Sequence, residues 1–243
     1  MNSLAHPLIT ITNVIWCYDH TTHQVNVLLV RRSGAPFKDY WALPETQMQA
    51  QEGAHVAALR LVREKLGLAL PLIHAEQLAT FTAPDRVPGE RALSLSYMVF
   101  LPTRPTLIPG PGANDVAWFA LQPPDHGRYS FTHAGLRFTT LHEDEYLTGQ
   151  TPLTGLAFDH NWILTVACAR IANKLDWQPT VLLILGPSFT LKQARSVYAA
   201  FGQNEPDNSN FLRDHQKFLK ASGLKPQTGP GRPAKLYVLT VSS

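Results

Sequence analysis

The chain has 243 residues, 44% of them apolar and 16% charged, with a formal net charge of +3. That length suggests two domains or one large one, and the apolar share is enough for proper cores. There is no run of 18 or more apolar residues to span a membrane. The N-terminus lacks a basic segment followed by an apolar one, which argues against secretion and for a cytoplasmic protein. Cys17 and Cys168 are too few and too far apart for a disulfide framework or a metal knuckle, and the ten histidines form no zinc-ligand spacing, so no metal is expected. The charge is uneven: from residue 181 onward eight basic residues face three acidic ones, against thirteen and fifteen before it. A basic C-terminal module on a mildly acidic body points to a polyanion partner for the tail.

In chain order, the β-branched stretch 8–17 reads as a strand, 19–23 as a turn, and 24–32 as the second strand of a hairpin. A loop from Arg31 leads to Trp41-Ala-Leu-Pro. The helix that follows ends at Gly67, with Val56, Leu59 and Val62 toward a core and Arg60 and Glu64 as an i,i+4 pair. Residues 75–82, 92–101, 115–121 and 136–141 read as further strands, with a turn-rich loop at 83–91. Residues 148–155 read as a linker. A helix capped near Asp159 runs to about Lys174 with Ile163, Leu164, Ala167 and Ile171 as its apolar stripe, and 177–187 is apolar, irregular and buried.

The tail has a sharper pattern. Thr190 caps a helix whose face carries Leu191, Ala194, Val197, Tyr198 and Phe201. After a turn at 202–206, a second helix runs from Asn208 to Gly223, with Phe211, Leu212, His215, Phe218 and Leu219 inward. Residues 224–239 read as two short strands joined by a Gly/Pro loop. Helix, turn, helix and basic-tipped hairpin make a winged helix-turn-helix. Arg213 is the candidate for base contact. Lys217, Arg232 and Lys235 are candidates for phosphate and groove contact, and Thr190, Lys192, Asn208 and Asn210 share that surface.

Residues 43–68 resemble a Nudix box, G-x5-E-x7-R-E-U-x-E-E-x-G-U with U aliphatic. Glu52, Arg60, Val62, Glu64, Gly67 and Leu68 fall in register, while Thr46, Leu61 and Lys65 depart from it. Positions 61, 64 and 65 share one helical face. Three carboxylates there would hold Mg²⁺ or Mn²⁺ against a pyrophosphate. Leu61 cannot ligate a hard cation and Lys65 repels one, so the catalytic centre is read as lost. Glu45-Thr46 follows Trp-Ala-Leu-Pro where the family has two glycines, which adds negative charge near the pyrophosphate's place.

The box, the stretch Leu156-Ala-Phe-Asp-His160 and the tail motifs Phe189-Thr-Leu-Lys-Gln and Gly231-Arg-Pro-Ala-Lys-Leu-Tyr237 together resemble the Nudix-related transcriptional regulators of NAD metabolism. The resemblance implies an α+β chain: a Nudix-type α/β/α sandwich over 1–150, a linker helix over 151–180 and a winged helix over 181–243. It implies a homodimeric repressor on double-stranded DNA that is released when ADP-ribose or another NAD-related nucleotide enters the Nudix pocket. Arg31, Arg32, Trp41, Arg86 and Arg91 border that cleft. Two other functions fit parts of the chain: an active nucleoside-diphosphate hydrolase with an accessory basic domain, and a protein-interaction module with neither ligand nor operator. Leu61 and Lys65 oppose the first, and the basic wing opposes the second.

Overall fold

The computed structural model describes residues 6–148, 155–203, 207–224 and 234–240. Most of the anticipated linker, residues 204–206 of the anticipated turn, the anticipated Gly/Pro loop of the wing and Arg232 lie outside the described residues.

The strand β1 (Leu8–Asp19) organises the first 140 residues. Side chains alternate across a strand, and both sides of this one are apolar: Ile11, Ile15 and Cys17 on one, Val14, Trp16 and Tyr18 on the other, all buried. A strand covered on both faces reads as a nearly continuous apolar run. It pairs antiparallel with β2 (Gln24–Arg32) only over Trp16–Asp19, and parallel with β6 (Ala92–Phe100) along Leu8–Trp16. Where β1 and β2 diverge, β3 (Trp41–Ala42) and β4 (Glu45–Gln47) wedge between them. With β5 (Ala75–Phe81), β7 (Ala113–Asp125), β8 (Arg128–His133) and β9 (Leu136–Thr139), the sheet runs β5-β6-β1-β2-β7-β8-β9.

Helix α1 (Ala54–Leu66) covers one face through Ala57, Ala58 and Val62 and ends at Gly67, whose φ of 68° needs a glycine. The other face carries α3 (His160–Lys174), which follows the short α2 (Glu143–Leu147), together with a 3-10 segment at Thr180–Leu185 and α4 (Leu191–Ala200). The result is an α/β/α sandwich whose second helical layer includes the first helix of the tail domain. Trp16 on β1 meets Phe201 edge-on at 5.6 Å, and the Tyr18 and Ser196 hydroxyls lie 2.8 Å apart. Lys174, at the end of α3, pairs with Glu76 on β5 at 2.5 Å.

Three readings need correction. Val56 is 57% exposed, because the buried stripe of α1 runs through Ala57, Ala58, Leu61 and Val62. Strand β8 was not anticipated. It is entered through His126-Gly127 and left through Ala134-Gly135, both two-residue links with positive φ at each position. That is the geometry matching the right-handed twist of a hairpin. The second tail helix, α5 (Asn208–His215), ends eight residues early, and Leu219–Leu224 is instead strand β10, paired with β11 (Lys235–Leu239). Phe218 and Leu219 continue the helical spacing of Phe211 and His215, but the ladder from Leu219↔Leu239 to Leu224↔Lys235 satisfies the same backbone and buries Leu219 as well. Lys217 consequently lies in the turn after α5.

Candidate functional site

On the Nudix box helix, Arg60 holds Glu52 at 2.6 Å and Glu64 at 3.1 Å. It also donates to the Gln47 carbonyl at 3.0 Å, which pins the loop before the helix. The hydrogen bond from Arg60 keeps the Glu52 carboxyl below its usual range. Leu61 is fully buried, and the Lys65 ammonium donates to the Pro111 carbonyl at 2.7 Å. The positions where a divalent cation would sit therefore offer one carboxylate already engaged by an arginine, and they do not fit a metal. Among the described residues no group of three or more His, Cys, Asp or Glu side chains could hold one.

A cavity of about 550 Å³ opens at the end of the sheet where the 33–40 loop, the 83–88 loop, α2 and the start of α3 meet. Phe37, Tyr40, Tyr146, Phe158 and Trp162 line it, with Asp85, Arg86, Asp159 and Asn161. Its lining includes a buried ion pair. Arg86 reaches Asp159 through Nε at 3.0 Å and Nη2 at 2.8 Å, with side-chain exposures of 0% and 7%. Its Nη1 is buried without a partner.

The stretch 156–160 is sewn to the strand before the box. The Ala157 amide donates to the Trp41 carbonyl at 2.8 Å, and the Leu43 amide donates to His160 Nδ1 at 2.9 Å. Nδ1 is therefore unprotonated, and burial, helped by Arg86 and Arg32, holds His160 well below 6.5 and neutral. Its proton sits on Nε2, which is buried and unpartnered.

Of the five residues anticipated at the cleft, Arg86 lines the cavity and Arg32 stands beside it, its guanidinium 4.7 Å from the centre of the Phe158 ring. Arg31 is exposed and pairs with Asp39 at 3.5 Å. Arg91 is exposed and donates to the Thr82 and Ala83 carbonyls, bracing the 83–88 loop. Trp41 packs in the core 5.0 Å from Phe119 and offers a ligand almost no surface. The aromatic lining and the Arg86–Asp159 pair were not singled out from the sequence, although Phe158 and Asp159 belong to a motif that was.

Glu45 accepts from Thr12 at 2.9 Å and Thr10 at 3.2 Å. Burial raises its carboxyl above 4.5, against those bonds and the pull of Arg86 and Arg32. A folded-state value above the unfolded one means that the folded protein binds the proton more tightly. The stability that this one group contributes is then lost as pH rises from about 4.5. Glu45→Gln keeps an acceptor for Thr12 and removes the buried charge. It is expected to melt higher than the parent at about pH 7, with the difference closing toward about pH 4. Thermal unfolding at both pH values checks this.

In the tail, Thr190 caps α4 in a reciprocal box with Gln193, and Lys192 is exposed. Asp207 caps α5 and holds Asn210, while Asn208 accepts from Arg195 at 3.0 Å. Arg213 is exposed and pairs with its neighbour Asp214 at 3.0 Å. Lys217 and Lys235 are exposed, the latter at the start of β11. Phe211 and His215 stack at 4.4 Å and turn the opposite side of α5 inward.

The Nudix domain model matches residues 10–134. The chain belongs to the Nudix family. The NrtR DNA-binding winged helix domain model matches residues 181–239 of this Nudix protein. Its curated relatives include the ADPR responsive transcriptional repressor NtrR of Acinetobacter baylyi, 26% identical over 95% of this chain and 81% of that protein. Among solved structures it is similar to a MutT/nudix family protein from Enterococcus faecalis, 31% identical with a TM-score of 0.83, covering 99% of this chain and 89% of that one. It is also similar to NrtR of Shewanella oneidensis, 25% identical with a TM-score of 0.70, covering 96% and 94%. No helix among the described residues is long and apolar enough to cross a membrane.

Proposed function

We infer that this Nudix protein is a DNA-binding transcriptional repressor whose Nudix domain senses ADP-ribose or a related nucleotide without hydrolysing it. The observation that carries the reading is the pairing, in one chain, of a Nudix domain and an NrtR-type DNA-binding winged helix. The likeness to an ADPR responsive repressor across 95% of the chain supports it. A homodimer on paired half-sites and a role in controlling NAD-synthesis genes complete it.

The lost chemistry at the box supports sensing over turnover. Leu61 has no ligating atom, Glu64 is engaged by Arg60, and the Lys65 ammonium occupies the third position. Incubation with ADP-ribose and Mg²⁺ or Mn²⁺ is expected to release no AMP. Turnover on the order of 1 s⁻¹, ordinary for enzymes, would overturn the non-catalytic reading.

Gel shifts on a promoter duplex, with and without ADP-ribose, test the regulator itself. Release of DNA by the nucleotide is the expected result, and a chain that binds no duplex ends the reading. Within the tail, Arg213→Ala is expected to weaken one sequence by roughly 1–3 kcal/mol and relax preference. Lys235→Ala is expected to weaken all sequences alike and lower the salt slope by about one. The Arg213–Asp214 pair does not stand in the way, because an ion pair this exposed holds an arginine only weakly.

A further inference from the structure

We propose that the cavity between the 33–40 loop, the 83–88 loop and the start of α3 seats the nucleoside end of the effector, a planar ring with its ribose hydroxyls, rather than its diphosphate. This rests on the sensing role above and names the seat.

The volume, about 550 Å³, is that of a small-molecule pocket. Five aromatic side chains line it, four of them in two contacting pairs. Tyr146 and Trp162 stack face to face, 4.4 Å apart and 8° from parallel, which fixes the position of both rings in the wall. Phe37 and Phe158 meet edge-on at 5.0 Å on another part of the wall. Both phenylalanines are held at positive φ, 61° and 57°. Left-handed backbone is costly for a bulky residue and concentrates at ligand sites. Aromatic faces in a concave site suit a planar ring, and such stacking is strong and tolerant of ring identity.

Charge decides which end of a nucleotide enters. The lining brings two carboxylates, Asp85 and Asp159, against one guanidinium, Arg86, and that guanidinium already holds Asp159 through two hydrogen bonds. The Tyr146 phenol is raised by burial, and further by Asp159 and Asp85, so both carboxylates act on the same wall. Within that lining a diphosphate would meet a net negative charge, because Arg86 is engaged and Arg32 stands outside the lining, over Phe158. Hydroxyl and amino donors would meet the carboxylate of exposed Asp85. The same lining joins the sensor to the tail. Phe158 and Asp159 lead into α3 and Asn161 and Trp162 lie in its first turn, so an occupant touches sensor loops and the helix that leads to the winged helix together.

Isothermal titration of the full chain with ADP-ribose, adenosine and ribose 5-phosphate tests the proposal. The parent is expected to bind the first two and not the third. Asp85→Asn, on an exposed loop where folding is not at stake, and Tyr146→Ala are each expected to weaken ADP-ribose by about tenfold, while Tyr146→Phe, which keeps the ring face, stays within about twofold. If the parent binds ADP-ribose and both weakening variants bind it like the parent, the cavity is not the seat although sensing stands. If ribose 5-phosphate binds and Asp85→Asn tightens it, the cavity is a phosphate site and the proposal is overturned. If the parent binds neither ADP-ribose nor adenosine, the sensing role falls, and this proposal with it.

Discussion

Asp159→Asn is expected to destabilise the protein by about 3–5 kcal/mol. The substitution is nearly isosteric, so no cavity is created and the change is one of charge. In the native protein the Arg86 side chain is wholly out of solvent and relies on Asp159 for two short hydrogen bonds. An amide at 159 can accept one bond at most without a clash of donors. A full positive charge is then left in a low-dielectric site whose Nη1 already lacks a partner. Against a total stability of about 5–15 kcal/mol, that is a large fraction. Replacing both members, as in Arg86→Met with Asp159→Leu, removes the charge together with its partner and is expected to recover much of the loss. Urea unfolding followed by tryptophan fluorescence separates the cases. A loss below about 1 kcal/mol in the single variant would mean that solvent reaches the pair and that the helix start is not locked to the 83–88 loop.

The difference between Val56 and Asp159 shows what could be read from the sequence and what could not. Strands β1, β2 and β6 announce themselves because their runs of apolar residues have no other way to bury both faces. The capping box at Thr190 and the glycine ending α1 are local signals, decided by three or four neighbouring residues. The cleft was less legible. Arg86 and Asp159 stand 73 positions apart, and nothing near either residue marks the other as its partner. The cavity is built by four separate segments that only the folded sheet brings together. On α1, a helical spacing that fits Val56, Leu59 and Val62 fits Ala57, Ala58, Leu61 and Val62 as well, because small residues can lie against a sheet as closely as large ones. The end of α5 is illegible for a related reason: periodicity cannot tell a helix from a strand when the apolar residues satisfy both, and the strand partners, from Leu224↔Lys235 to Leu219↔Leu239, lie beyond the reach of a local pattern.

Phe201→Ala is expected to cost about 3–5 kcal/mol and to loosen both domains at once. Phe201 belongs to the tail, directly after α4, yet it is 1% exposed because its ring is sunk against Trp16 on the central strand of the Nudix sheet. Its carbonyl accepts from the Tyr129 hydroxyl on β8 at 3.1 Å. Next to it, Gly202 sits at a φ of 81° with its missing Cβ only 2.7 Å from Pro124 Cγ, so the chain leaves α4 in tight contact with the sheet. Truncating the ring leaves a void lined by Trp16 and Tyr129 that neither half of the molecule can fill alone. If α4 is as much a layer of the sandwich as α3 is, parent and variant will each unfold in one calorimetric transition, the variant at lower temperature. Two separate transitions, with only the tail's shifted by the substitution, would show that the winged helix is an independent body resting on the sheet. The occupancy of the sensor would then have to reach DNA through α3 alone.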